Sequence, residues 1–480
     1  MIRYVFVVRD FHPLLLAGLP AHYTNPRGVF ITAGSTVLAD LERLIVGVQI
    51  ESLFTAALGL QPPWVVEQVD LDTARRRIDF EVACTAKRLA CPSCGATDQP
   101  IHDRNRRSWR HLDFFQYEAW LHAGVPRVDC GSCGKTHQVA VPWAREGSGF
   151  TLLFEALALT LCQSQPVSHA AKMLRVRDKR LWRQIEHYVA EARARQDMSK
   201  VRLVGIDETS IKERGQNYIT VTHDLDEKRL LFASHGRDHD AVEAFAADLE
   251  QHGGDRTAIA HACIDMSAAY AKGIGKSLPG AQISYDRYHV VALANKAMDE
   301  VRTAEWKDES RRVEEELGAL DPSQRRSILW GMRRNPAGWS DTQANAMHWL
   351  QRANLKTARA WRLKMGLREV FAHARSHNDA TLAAADLRRW ISWARRSRLD
   401  SFKRLGTTLK EHFEGVVRGM LDHRSNAFVE AMNGILQQAK RAARGFRTAS
   451  NFIANAYLRM GKLTHLPASP FVPALPRAIA

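Results

Sequence analysis

An apolar run of strand length, Val201 to Ile206, that ends in an acid at Asp207 most narrows what this chain can fold into. Such a run has to be buried. Glu208, Thr209 and Ser210 follow Asp207 directly, so the pattern predicts a buried strand that carries a carboxylate to its tip. A second short strand is predicted over residues 258–264, ending at Asp265 before Met-Ser-Ala-Ala-Tyr opens a helix. A long helix is predicted from Ser425 to Arg444 and carries Glu430. Two strand-end aspartates and a helical glutamate form a candidate trio for hard divalent cations, which take oxygen ligands. A pair of such ions can clamp both the attacking and the leaving oxygen of a phosphodiester. Each acid alone also has an ordinary role, as a turn or cap residue or on a solvated helix face.

At about 100° per residue the predicted helix divides into two faces. Glu430, Asn433, Gln437, Arg441 and Arg444 fall on one, and Phe428, Val429, Met432, Ile435, Leu436 and Ala439 on the other. A carboxylate followed by amides and then guanidinium groups suits a metal site adjoining a DNA backbone, with Arg441 and Arg444 on the phosphates.

Lysine and arginine total 68 against 52 acids, a formal net charge of +16, which favours a polyanionic partner. No apolar run approaches membrane-spanning length. Of the seven cysteines, four form the pairs Cys91-Pro-Ser-Cys94 and Cys130-Gly-Ser-Cys133, and the rest are scattered. That usage argues against a secreted disulfide framework and for a reducing cytoplasm. Each pair is a tight knuckle with glycine directly after its second cysteine. Cys91, Cys94, Cys130 and Cys133 are therefore read as the ligands of one structural Zn²⁺, the residues between the pairs folding as strands, with two redox or merely buried pairs as the alternative. His102 and His137 are candidate outer groups or substitutes and stay outside the ligand set. Between the knuckles Asp103-Arg-Asn-Arg-Arg-Ser-Trp-Arg-His either grips phosphates or forms a solvated loop.

Residues 150–163 are predicted helical, and 166–189 form two more helices broken near Arg175-Val-Arg177. The pattern suits a helix-turn-helix whose last, cationic helix offers Lys179, Arg180 and Arg183 to DNA, or an ordinary helical linker. Strands are then expected at 217–224, 228–234 and 281–285, with helices over 241–251 and from Asp286-Arg-Tyr-His289 to Arg302. Asp286 and His289 are auxiliary candidates for the site. From residue 303 to about 415 only helical patterns occur, rich in tryptophan and arginine. Arg388, Arg389, Arg395, Arg396 and Arg398 could line DNA there or form a solvated face.

Gly205-Ile-Asp-Glu, Cys263-Ile-Asp-Met-Ser-Ala-Ala-Tyr, Tyr285-Asp-Arg-Tyr-His-Val and Ser425-Asn-Ala-Phe-Val-Glu-Ala-Met-Asn-Gly carry a family likeness, with Arg441 and Gly445-Phe446 beyond. In these residues and their order the chain, from about residue 48 to 466, resembles the DDE transposases of bacterial insertion sequences, within them the family designated ISL-three. The resemblance implies a multidomain α+β protein, with an RNase H-like α/β catalytic core interrupted by an all-helical insertion and preceded by a zinc-binding module and a helix-turn-helix. It matches Asp207, Asp265 and Glu430 to the family's three acids.

The expected divisions are an uncertain extension at 1–47, a small module at 48–88, a zinc-binding domain at 89–146 and a helix-turn-helix at 150–198. The catalytic core follows at 200–302, the insertion at 303–415, the final core helix at 416–466 and a loose tail at 467–480. The expected function is a transposase that binds terminal inverted repeats, cleaves DNA and transfers strands. Its cofactors are two Mg²⁺, or Mn²⁺, held by Asp207, Asp265 and Glu430. Its partners are double-stranded DNA, as element ends and target, and further copies of itself, with no membrane. The rivals are a non-catalytic zinc and helix-turn-helix regulator and an RNase H-type nuclease that joins nothing. Residues 1–47 lie outside the resemblance, and translation is expected to begin near Val48.

Overall fold

A computed structural model describes residues 49–211, 218–236, 238–308, 310–318, 320–421 and 426–468. The expectations for residues 1–47 and for the tail beyond 468 lie outside this range. The chain divides into two compact units, Met1–Phe154 and Glu155–Ala480.

In the first unit α1 (Ile50–Ala57) precedes β1 (Trp64–Asp72), β2 (Arg77–Cys84), β3 (Arg88–Leu89), β4 (Gln99–Arg110), β5 (Glu118–Cys130) and β6 (Lys135–Gln138). They form one sheet in the order β1-β2-β5-β4-β3, with β6 on β5. Strict alternation makes this sheet one-sided: Ile78, Phe80 and Val82 of β2 and Ala119, Leu121, Ala123 and Val125 of β5 are buried with Trp64, Trp109 and Trp143. The cationic run from Asp103 is not a loop. It is strand β4, paired along Asp103–Arg110 with β5. Arg110 is fully buried, donating to the carbonyls of His111 at 2.6 Å and Ala119 at 3.1 Å and pairing with Asp113. Arg106 pairs with Glu81. Part of the charge that sequence alone assigns to DNA or solvent is thus structural.

Helix α2 (Leu152–Ser164) spans the division. In the second unit α3 (Val167–Met173) and α4 (Asp178–Ala194) precede β7 (Leu203–Ser210), β8 (Tyr218–Asp224) and β9 (Arg229–His235). Then come α5 (His239–Gln251), β10 (His261–Ile264), α6 (Ala268–Ser277), β11 (Gln282–Tyr285) and α7 (Arg287–Asp308). The sheet order is β11-β10-β7-β8-β9, with β7, β8 and β9 antiparallel and β10 and β11 parallel to β7. Strand β10 is shorter than expected, because Asp255 caps Thr257 and turns residues 256–258 into a single helical turn.

Helices α8 (Ser310–Leu317), α9 (Pro322–Arg333), α10 (Asp341–Arg352), α11 (Lys356–His377), α12 (Ala380–Arg396) and α13 (Asp400–Glu411) follow without a strand. Helix α7 runs unbroken through residue 303, and residues from Met198 to Met420 share one apolar core. Trp361 and Trp390 are in that core, whereas Trp330 and Trp393 are exposed. Helix α14 (Phe413–Leu421) returns the chain to the sheet. A Cβ on Gly419 would stand 2.0 Å from the carbonyl oxygen of Tyr285, so only glycine lets this helix lie on β11. Helices α15 (Asn426–Ala442) and α16 (Ala449–Met460) end the described chain.

Candidate active site

The parallel register sets Ile206 beside Ile264 and Ile264 beside Tyr285. The next residues are Asp207, Asp265 and Asp286, so three adjacent strands deliver three aspartates side by side. Asp207 is not at a strand tip as expected. β7 continues to Ser210, with Asp207 opposite Val221 and Ser210 opposite Tyr218 of β8. Its parallel partner stops while its antiparallel partner does not, which keeps Glu208, Thr209 and Ser210 extended despite their polarity.

Each carboxylate is anchored by a backbone N–H just beyond it. Glu208 N–H donates to Asp207 Oδ1 at 2.7 Å, Ser267 N–H to Asp265 Oδ1 at 3.1 Å and Tyr288 N–H to Asp286 Oδ1 at 2.7 Å. The ordinary turn role of these acids is therefore real, and it uses one oxygen of each. Asp207 Oδ2 accepts from Asn433 Nδ2 of α15, and the Oδ1 of Asn433 is buried without a hydrogen-bond partner. Further along α15, Gln437 Nε2 donates to Thr209 Oγ1 at 2.7 Å and Lys440 Nζ to the Ser210 carbonyl at 2.9 Å. This face fastens α15 to β7. Met432, Leu436 and Ala439 pack as expected, but Ile435 is exposed and Lys440 is buried. Glu430 belongs to α15 three residues before Asn433, and its side chain lies outside the described residues.

Burial pushes the Asp207 carboxyl up to about 6, and the Asp265 charge adds to the rise. Burial likewise raises Asp265 and Asp286, with the Asp286 charge adding at Asp265. His289, whose Nε2 is 3.9 Å from Asp286 Oδ2, opposes the rise at all three. Carboxylates drawn out of water on adjacent strands are hard oxygen donors of the kind a divalent cation takes, with the His289 ring beside them, while among the described residues only the four cysteines bring three or more ligand atoms within 4.8 Å of one another.

In the first unit the Sγ atoms of Cys91, Cys94, Cys130 and Cys133 all lie within 4.8 Å of one another. Cys91–Cys133 is 3.9 Å and Cys94–Cys130 3.5 Å, close to the roughly 3.8 Å between thiolates at 2.3 Å from a tetrahedral Zn²⁺. Gly95 and Gly134, each just after a knuckle, have φ of 75° and 65° and close the turns onto the Cys91 and Cys130 carbonyls. The Cys133 backbone N–H pulls the Cys130 thiol down to about 6, while the Cys130 thiol pushes Cys133 up to about 12. His137 Nε2 stands 3.4 Å from Cys133 Sγ, beside the thiols rather than among them.

Arg175, with φ of 54°, breaks the chain between α3 and α4. Gln184 Nε2 donates to the Glu155 carbonyl at 2.6 Å and Tyr188 Oη to Glu155 Oε2 at 2.6 Å, tying α4 to α2. Lys179 and Arg183 are exposed, whereas Arg180 is half-buried and burial lowers its pKa. Arg441 and Arg444 are exposed and line a cavity of about 1020 Å³ with Ser210, Gln437 and Lys440.

Residues 204–456 match the transposase domain of family ISL3, more than half of the chain. Residues 139–189 match the helix-turn-helix domain of transposase family ISL3, and 87–133 match the zinc-finger of the IS204/IS1001/IS1096/IS1165 transposases. The chain belongs to the ISL3 family of transposases. It is 31% identical over 447 residues to the transposase for insertion sequence element IS1557 of Mycobacterium tuberculosis, covering 87% of this chain and 97% of that one. It is 25% identical over 405 residues to the transposase for IS1001 of Bordetella parapertussis, covering 82% of this chain and 95% of that one. The ISL3 match makes the chain a DNA transposase with zinc-ribbon, helix-turn-helix and DDE domains in that order, and makes the four-thiol centre a structural zinc site. No helix among the described residues is long and apolar enough to cross a membrane.

Proposed function

We propose that this ISL3 transposase binds the terminal inverted repeats of an insertion sequence, cleaves the 3′ ends by hydrolysis and joins them to target DNA. The register that sets Asp207, Asp265 and Asp286 in line across three adjacent strands, with α15 fastened to β7 beside them, carries this reading. Three antiparallel strands followed by two parallel ones on the other side of the first support an RNase H-like core. Helices α8–α13 are its insertion and α15 is its closing helix.

Asp207 and Asp265 would hold two Mg²⁺, or Mn²⁺, with Glu430 completing the ligand set. When bound, the ions supply a nucleophilic water and neutralise charge at phosphorus in an in-line displacement. Asn433 holds Asp207 by its amide, and Lys440 fixes the end of β7. Asp286 orients His289 toward the aspartates. Lys179, Arg180 and Arg183 engage the repeat, and Arg441 and Arg444 hold the strand near the scissile bond. The protein works in the cytoplasm, as an oligomer that brings two element ends together.

The test is cleavage of a duplex carrying the DNA that flanks the reading frame, by the full chain with Mg²⁺. A nick at the repeat terminus is expected, and a bound but intact substrate would contradict the reading.

A further inference from the structure

Two helices of the second unit face each other with polar stripes. On α4, Lys179, Trp182, Arg183 and Glu186 follow the i, i+3, i+4, i+7 spacing, and on α16, Asn451, Asn455 and Arg459 follow i, i+4, i+8. All of them line one groove of about 490 Å³. Its far end is closed by Phe446, whose ring lies 6.1 Å from that of Trp182, and Phe446 is aimed there by a reversal at Arg444 and Gly445, with φ of 55° and 92°. Arg447 adds another cation. The groove continues into the cavity lined by Arg441, Arg444 and Gln437, the two sharing Ala443, Gly445, Phe446 and Arg447.

The charge of this groove is not balanced within the protein. Lys179, Arg183, Arg447 and Arg459 have no ion pair among the described residues, while the acids lining the groove are Asp178 and Glu186. Asp178 Oδ1 accepts the backbone N–H of Lys179 at 2.7 Å. Arg459 is the sharpest case. It is half-buried, its Nε is shut off from water without a hydrogen-bond acceptor, and burial lowers its pKa with no carboxylate to oppose the effect. A guanidinium N–H shut off from water without an acceptor is costly, and it leaves the remaining N–H groups of Arg459 as the ones free to meet an anion. Ring faces, amides and guanidinium groups together are the chemistry that holds a sugar–phosphate chain.

We propose that this groove binds the backbone of one DNA strand, so that the recognition helix α4 and the last helix α16 hold the same strand and lead it past Phe446 toward Asp207. The inference rests on the DNA-binding part of the proposed function. Helix α4 can serve both tasks because its other end is built into the catalytic unit. Arg193 donates to both oxygens of Asp248 at 2.8 and 2.7 Å and lies 4.6 Å over the ring of Tyr457 on α16.

The test uses the full chain and a short duplex oligonucleotide of arbitrary sequence, with affinity measured across a salt series. Asn451→Asp puts a carboxylate into the groove at the third position of α16, where an acid suits the helix dipole, so the fold is kept. A loss of affinity of about tenfold is expected from repulsion of the phosphates. Arg447→Gln with Arg459→Gln should lower the slope of log affinity against log salt by about 1.8, about 0.9 per phosphate released. Unchanged affinity and slope in variants that melt like the parent overturn the proposal while leaving DNA binding intact. No binding by the parent chain would instead overturn the DNA-binding reading itself, and the groove with it. Should the arginine variant fail to fold, Asn451→Asp decides alone.

Discussion

Asp207 shows how one side chain serves both local structure and chemistry. One oxygen accepts the next backbone N–H and the other accepts from Asn433, yet burial holds its carboxyl near 6. Its pKa is raised above the unfolded value of 3.8, so the folded state keeps the proton longer. The metal-free protein should therefore lose stability from this group as pH rises from about 4 to about 6, and stay level above that. Asp207→Asn removes the buried charge, and a flip of the Asn433 amide lets the new NH2 donate to the Asn433 carbonyl oxygen in place of the bond that Asp207 accepts. At pH 7 we expect this variant to be more stable by about 1–2 kcal/mol without metal, with no further gain on adding Mg²⁺. Thermal melts with and without Mg²⁺ check this, and a metal-dependent shift equal to that of the parent would count against Asp207 as a ligand. Asp207→Asn, Asp265→Asn and Glu430→Gln should each lower end cleavage at least about a hundredfold while sparing DNA binding, because an amide cannot replace an anionic ligand. Near-normal cleavage by any one would remove that residue from the site.

Periodicity exposed most elements, because the one-sided β2 and β5 and the apolar run of β7 have to alternate or stay buried to fold at all. What periodicity cannot carry is register. The strand-then-acid pattern that singles out Asp207 and Asp265 also occurs at Gln282–Tyr285 and Asp286, but only the pairing of β10 with β11 sets Asp286 beside the other two. Lys440 was invisible for a different reason: a lysine on a helix is read as solvated, and its burial depends on the Ser210 carbonyl of a strand 230 residues away. The four cysteines were legible because thiols in paired knuckles have few other uses. Replacing Cys91 or Cys130 by serine should reduce bound zinc from about one ion per chain toward none and lower the melting temperature, since such a site supplies folding energy directly. Metal analysis of the purified variants decides it, and retained zinc would exclude that cysteine.

Across the whole second unit, recognition and chemistry are joined by packing rather than by a linker. Helix α4 begins among Lys179 and Arg183 and ends at Arg193, clamped to Asp248 and stacked on Tyr457, whose hydroxyl accepts the Ala233 N–H of β9 at 3.0 Å. Arg193→Ala leaves the half-buried Asp248 with only His252 Nδ1 at 3.6 Å beside it and should cost about 3 kcal/mol in chemical denaturation. A change under about 0.5 kcal/mol would mean that α4 is held by its apolar face alone. The central claim is that metal held at the aspartates acts on the scissile phosphate of the element end. Replacing one non-bridging oxygen of that phosphate by sulfur tests it most directly, because Mg²⁺ binds sulfur poorly and Mn²⁺ tolerates it better. We predict that cleavage of one phosphorothioate diastereomer falls sharply in Mg²⁺ and recovers in Mn²⁺; equal cleavage of both diastereomers and of the normal phosphate in Mg²⁺ would contradict a metal-bound phosphate.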